Sequence, residues 1–279
     1  MLLNFTKMQG LGNDFVVVDA TARPFQPDAA LLQRLTDRHF GVGCDQVLVI
    51  DPPPAADVDF GYRIYNSDGS ESGQCLNGSR CVARFVRERG LSQKAHVRLR
   101  TQTSVLELEQ FDDGRVRVNT GVPRFEPKSV PLVGHARNKV YSIELPDGSQ
   151  ISCGAVSMGN PHAVILVDDV DSAPVAEIGA ALQHHPAFPQ RVNVGFLQII
   201  DSAHARLRVY ERGAGETLAC GSGACAAMAV GRLWERLGAR VEMSLRGGKL
   251  NLEWSGTESE LWMTGPAETV FEGSIEWPK

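Results

Sequence analysis

No run of roughly 18 or more apolar residues occurs in this 279-residue chain, so no segment reads as a transmembrane helix. The opening MLLNFTKMQG lacks a basic region followed by an apolar stretch; no secretory signal is read, and a cytoplasmic location is expected. Positive charge is not in excess either. The 28 Lys and Arg stand against 33 Asp and Glu, for a net charge of −5, which argues against nucleic acid or an anionic membrane as partner. A small polar ligand fits better. Paired Cys-x-x-Cys spacing is missing as well, so the cysteines do not read as a zinc site and no metal is expected.

The six cysteines are not a disulfide framework, because a chain of this length with 43% hydrophobic residues needs no staples and the expected compartment keeps thiols reduced. Cys81 and Cys225 lie in the apolar runs CVARFV and CAAMAV. Cys44 and Cys153 lie beside strand-like segments. For these four the expected role is that of a small buried hydrophobe.

Cys75 and Cys220 differ. Cys75 stands in RIYNSDGSESGQCLNGSRC and Cys220 in RVYERGAGETLACGSGAC, the same local phrase at an offset of 145 residues. Arg63, Tyr65, Asn66, Glu71, Cys75 and Gly78 fall opposite Arg208, Tyr210, Glu211, Glu216, Cys220 and Gly223. Near the start, GLGNDFVVVD matches MGNPHAVILVD, with Asn13 opposite Asn160 at an offset of 147. Thr120-Gly121 matches Thr264-Gly265 at 144. Such a period is far too long for a solenoid unit and reads as a duplicated half. Two domains are expected: residues 1–121 plus 266–279, and residues 122–265.

Each cysteine follows a strand-like run (VDFGYRIY, ARLRVY) and a Gly-rich loop. Each precedes a helical pattern, Cys75 to Gly90 and Cys220 to Gly238. At a helix start the backbone N–H groups lack internal partners and the helix dipole favours negative charge, so both thiols are expected to have a lowered pKa. The same N–H groups suit a substrate carboxylate. Polar residues recur at the matching edges: Asn13, Gln46, Asn66, Asn160, Asn193 and the pair Glu211-Arg212. Singly, each asparagine reads as a turn residue and the Glu-Arg pair as a solvated surface pair. Around two thiols, Arg212 suits a carboxylate and Glu211 and the amides suit an ammonium group. His162 reads equally as an orienter of a carboxylate or as a turn cap.

Taken together, GLGNDF, GVGCDQ, NSDGSE with its Cys-x-Asn-Gly-x-Arg-Cys run, MGNPH, ERGAGET with ACGSGACAA, and the closing TGPA resemble the diaminopimelate epimerase family, from Lys7 onward. The resemblance implies a cofactor-independent isomerase that interconverts LL- and meso-2,6-diaminopimelate by two-base proton transfer, on the route to lysine and peptidoglycan. It implies Cys75 and Cys220 as the catalytic thiols. N–H groups around Leu76, Asn77, Gly221 and Ser222 would hold the α-carboxylate. Asn66, Asn160, Asn193 and Arg212 would hold the distal end, Asn13, Gln46 and Glu211 would lie near the reacting end, and His162 would support the site wall. The resemblance is compatible with a homodimer. It carries one departure: the family's usual Gly after the first thiol is Leu76 here, which would be strained were φ positive.

Proline and hydroxyproline racemases would share the fold and the thiol pair, but their His after the first Cys-Gly and their Ser-Pro-Cys-Gly-Thr-Gly motif are absent. A non-catalytic amino-acid-binding protein of the same fold would need neither thiol. The expected fold is α+β, with two pseudo-symmetric domains, each a curved mixed sheet wrapped around a central helix, and with the site in a cleft between the domains that closes on substrate. Hairpins are expected at VLELEQF-DDG-RVRVNT and KVYSIELPDGSQISCGAV, and outer helices at PDAALLQRLTDRH and APVAEIGAALQHH.

Overall fold

The computed structural model describes residues 2–276. The chain forms two units, Met1–Val118 with Gly265–Lys279, and Asn119–Thr264. Each is α+β.

In the first unit the strands are β1 (Leu2–Gly10), β2 (Asn13–Asp19), β3 (Gln46–Asp51), β4 (Phe60–Asn66), β5 (His96–Arg100), β6 (Val105–Gln110) and β7 (Val116–Asn119). Helix α1 (Ala29–Thr36) joins β2 to β3, and α2 (Leu76–Glu88) joins β4 to β5. These two links are the parallel crossovers: β2–β3 and β4–β5 run parallel, whereas β1–β2, β3–β4, β5–β6 and β6–β7 are antiparallel. A closing strand, Glu268–Glu276, pairs antiparallel with β1. Strand β2 carries four successive buried residues and β3 likewise, as expected of strands covered on both faces. One face packs on α2, which touches β1, β2, β3, β6 and the closing strand, so the sheet bends around it. The other face is covered by α1, whose Leu31, Leu32 and Leu35 join Val16, Val18, Val47 and Val49.

The second unit repeats the order. Strand β8 (Tyr141–Glu144) pairs with β9 (Gln150–Ser157), and β9 with β10 (Pro161–Leu166). Helix α3 (Val175–Gln183) crosses to the parallel β11 (Asn193–Ile199), and β12 (His204–Glu211) returns antiparallel. A short β13 (Gly215–Thr217) folds back on β12, and α4 (Gly221–Leu233) crosses to β14 (Arg240–Leu245), followed by β15 (Gly248–Trp254) and β16 (Leu261–Gly265). Helix α4 is lined by β9 to β12 and β15, and α3 covers the outer face. Its small residues allow a close approach. A Cβ added at Gly154 on β9 would stand 2.4 Å from Val230 Cγ1 on α4.

The helix expected to run from Cys220 to Gly238 stops earlier. Trp234 caps α4, and Glu235 takes a positive φ of 61°. Both hairpins and both outer helices form where the sequence placed them.

Candidate active site

Cys75 and Cys220 occupy the same structural position. Each is the N-cap of its unit's central helix, in extended backbone just before the first helical residue. Strand β4 or β12 leads there, and the loop between folds back on it through equivalent pairs, Tyr65 with Glu71 and Tyr210 with Glu216.

Around Cys75 the side chain accepts from the Gly78 N–H at 3.4 Å and faces Asn13 Oδ1 at 3.9 Å. Asn13 is put there by the β1–β2 turn, where Leu11 and Gly12 both have positive φ (59° and 83°), the geometry of a two-residue hairpin whose twist suits the strands. Asn13 Nδ2 donates to Asp45 at 2.7 Å, and Asn77 Nδ2 donates to Asn13 Oδ1 at 3.3 Å. Gln46 and Asn66 are register partners on β3 and β4, joined by Gln46 Nε2 to Asn66 Oδ1 at 2.8 Å. The Tyr62 hydroxyl donates to the Cys75 carbonyl at 3.3 Å. Leu76 is buried in ordinary helical backbone, so the strain that a positive φ would bring does not arise.

Around Cys220 the surroundings differ. Ser222 Oγ lies 3.6 Å from the sulfur, and Asn160 Nδ2 donates to that hydroxyl at 3.3 Å. Asn160 Oδ1 lies 2.9 Å from His162 Nε2. Asn193 Nδ2 donates to the Pro161 carbonyl at 3.1 Å, and its Oδ1 accepts from the Arg212 N–H at 2.8 Å. The Arg212 guanidinium is exposed and donates to the Gln190 carbonyl at 3.2 Å. Glu211 accepts a hydrogen bond from Thr217 Oγ1 and Gln183 donates to its carbonyl.

The expected lowering of both thiol pKa values fails at Cys220. This thiol is pushed well above its ordinary 9.0, chiefly by burial and then by the charge and hydrogen bond of the Glu211 carboxylate, against small opposing help from Ser222 and the Gly223 N–H. A helix N-terminus is a weak, local effect, and desolvation at a site only 4% exposed outweighs it. Replacing Glu211 with Gln removes one cause. Cys220 in that variant should therefore titrate at lower pH, read as a shift of the alkylation-rate profile of this thiol toward neutral pH with the fold unchanged; an unmoved profile would show that Glu211 does not govern it.

His162 is fully buried, and burial followed by the Arg212 charge lowers it from 6.5 to about 3. It is therefore neutral, and its ring N–H is directed at Asn160 rather than at a carboxylate. Its counterpart in the first unit is Phe15, since Phe15 pairs with Gln46 as His162 pairs with Asn193. A depressed folded pKa gives stability that is present above 6.5 and lost as pH falls toward 3. The full window is worth at most roughly 5 kcal/mol. A His162→Phe variant should therefore show a flatter fall of Tm between pH 6.5 and 3 than the parent; parallel curves would contradict a buried neutral imidazole.

Cys44, Cys81, Cys153 and Cys225 are all buried, and burial pushes the first three up to about 12. They are packing residues. Sequence reading overlooked Thr217, which holds Glu211, Asp45, which holds Asn13, and Arg80, whose guanidinium donates to Asn77 Oδ1 at 3.1 Å. Each lies within a motif already singled out (GAGET, GVGCDQ, and the Cys-x-Asn-Gly-x-Arg-Cys run), and that position was the available signal. No group of His, Cys, Asp and Glu suited to a metal ion occurs among the described residues, and no helix there is long and apolar enough to cross a membrane.

Two duplicated α+β units, each built around one central helix, are a class of fold that solved structures share. A hydroxyproline epimerase from Agrobacterium vitis is similar at TM-score 0.71 and 16% identity, covering 98% of this chain and 92% of its own. A phenazine biosynthesis protein from Bacillus anthracis is similar at TM-score 0.67 and 17% identity, covering 99% and 100%. At these identities the likeness is one of fold. Within that class the sequence is decisive: residues 5–126 and 154–270 match the diaminopimelate epimerase family model, and the chain belongs to that family. It is 51% identical over 277 residues to a diaminopimelate epimerase from Alkalilimnicola ehrlichii and 52% identical over 275 residues to one from Ectopseudomonas mendocina, each covering 99% of both chains.

Proposed function

We propose that this protein interconverts LL- and meso-2,6-diaminopimelate without a cofactor, Cys75 and Cys220 serving as the two acid–base groups, and that it does so in the cytoplasm on the route to lysine and peptidoglycan. The observation that carries this reading is the repetition of a thiol at the N-cap of each central helix inside a chain of this family.

An α-proton next to an ammonium and a carboxylate is weakly acidic, and without an electron sink the carbanion depends on its surroundings. The N–H groups at the starts of α2 and α4, from Leu76, Asn77, Gly221 and Ser222, would hold the α-carboxylate and meet the charge that develops on it. One thiolate takes the α-proton and the other thiol delivers a proton to the opposite face; inversion needs two groups because one would return the proton where it came from. The raised pKa of Cys220 supports its entering a turn as the thiol donor, which requires Cys75 as the thiolate base in that direction. The reverse direction exchanges the roles. Asn13, Gln46 and Glu211 would surround the reacting end, and Asn66, Asn160, Asn193 and Arg212 the distal amino-acid end, with His162 fixing Asn160 from behind.

The reading is tested by incubating the protein with LL-diaminopimelate, and separately with proline and 4-hydroxyproline, and following formation of the epimer by chiral chromatography. Turnover of diaminopimelate alone is expected. Turnover of a cyclic imino acid with none of diaminopimelate would move the protein to the racemase branch.

A further inference from the structure

Arg80 is one of the largest fully buried side chains, 0% exposed, one turn into α2. Its Nε donates to the Pro266 carbonyl at 3.0 Å, Nη1 to the Leu76 carbonyl at 3.5 Å and Nη2 to Asn77 Oδ1 at 3.1 Å. Gly10 on β1 leaves the room: a Cβ there would stand 3.2 Å from Nη2.

A guanidinium only donates hydrogen bonds, so the Asn77 atom that meets it is necessarily the carbonyl oxygen. The Asn77 amide nitrogen then points outward as a donor, and the Asn13 atom it reaches, at 3.3 Å, is necessarily an oxygen. The far end agrees independently. Asn13 Nδ2 donates to Asp45 Oδ2, and that carboxylate, which also receives Arg38 at 2.8 Å, accepts only. A donor-only group at one end and an acceptor-only group at the other leave each amide between them a single orientation. The outcome at the sulfur is specific. Cys75 Sγ meets both the Gly78 N–H, which suits a thiolate, and Asn13 Oδ1, which suits an S–H. A group that must alternate between the two states has a matching partner for each.

We infer that Arg80 is a positioning residue for Cys75: it sets the direction of the Asn77 and Asn13 amides and so keeps an acceptor aimed at the thiol. This rests on Cys75 being an acid–base group of the reaction. Position 80 falls opposite Cys225 in the second unit, which supplies no guanidinium; there the buried His162 ring holds Asn160 instead. The two halves orient equivalent asparagines with different residues.

The test compares Arg80→Met, Arg80→Lys and Asn77→Asp with Arg84→Met. Arg84 is the matched control, because it too ties α2 to the chain before the closing strand, through the Ala267 carbonyl, without touching Asn77. Epimerase kinetics are measured below the melting transition of each variant, together with the rate at which iodoacetamide alkylates Cys75 without substrate. Loss of Arg80 is expected to lower kcat by about tenfold or more with KM within about threefold, as befits misdirection of a reacting group. Lys, a single-point donor, should restore only part. Asn77→Asp keeps an acceptor for Arg80 but cannot donate to Asn13 as a carboxylate, so it should lose kcat too, and it decides the matter should Arg80→Met not fold. The Arg80→Met and Asn77→Asp variants should also change Cys75 alkylation by about threefold or more, while Arg84→Met leaves both readouts at the parent's values. Full kcat and unchanged alkylation in Asn77→Asp, or equal behaviour of the Arg80 and Arg84 variants, would overturn the inference. A parent enzyme whose Cys75→Ser variant still epimerises would instead break the two-thiol reading, and the alkylation rates would still decide whether Arg80 acts on Cys75.

Discussion

Replacing either Cys75 or Cys220 with Ser should lower kcat for diaminopimelate epimerisation by about 10³-fold, within the range of 10²–10⁴ that a positioned acid or base contributes. A serine hydroxyl has nearly the size of the thiol but is far too weak an acid to serve as a thiolate does, so the geometry survives while the proton transfer fails. Both substitutions should therefore leave Tm close to that of the parent. The two losses should not multiply, because the proposed two-base step needs both thiols; the double variant should be about as slow as either single one. Chiral chromatography of early time points measures all three. A Cys75→Ser enzyme near parental activity, with a silent Cys220→Ser enzyme, would leave only one acid–base group and contradict the proposal.

Arg212→Met should lower kcat/KM for diaminopimelate by about 10²-fold or more, since the proposed charge-assisted, two-point grip on the distal carboxylate would be lost. The residue is exposed on the strand-end that also carries Glu211, and its backbone N–H, which the substitution retains, anchors Asn193. The folded structure should thus be little affected and the loss should fall on the substrate. Lysine is the discriminating comparison, because it is diaminopimelate without the distal carboxylate. The parent should reject lysine strongly, and the variant should narrow the ratio of kcat/KM between the two substrates. An undiminished ratio would remove Arg212 from the distal grip.

Much of this was legible in the sequence, because duplication writes the same geometry twice. The offsets of 147 at Asn13 and 145 at Cys75 looked irregular in the string. They are explained by the link between the third and fourth strands of the first unit, where Asp51 pairs with Gly61; in the second unit Gln198 pairs with Arg206, two residues tighter. The strand, loop and helix order around each thiol was readable from β-branched runs, Gly-rich loops and helical periodicity, all local signals. What was not readable is what depends on neighbours brought from elsewhere. The pKa of Cys220 was misjudged because a helix N-terminus can be seen in the sequence, whereas full desolvation and the Glu211 carboxylate at the end of β12 come from the packed fold. Arg80 was not singled out in the sequence, and its burial beside Gly10 and its bond to Asn77 distinguish it from Arg87, which bonds to the exposed Asp112. His162 was balanced between two roles, and what the sequence could not show is that its ring is buried and lies 2.9 Å from Asn160 Oδ1.

The two-base claim is tested most directly by running the reaction from LL-diaminopimelate in D₂O and analysing both epimers by mass spectrometry before equilibrium. The account predicts that meso product carries solvent deuterium at its inverted carbon from the first turnovers while recovered LL substrate remains unlabelled. Meso product that retains the substrate's own proton, or LL substrate that gains deuterium as fast as product forms, would contradict it.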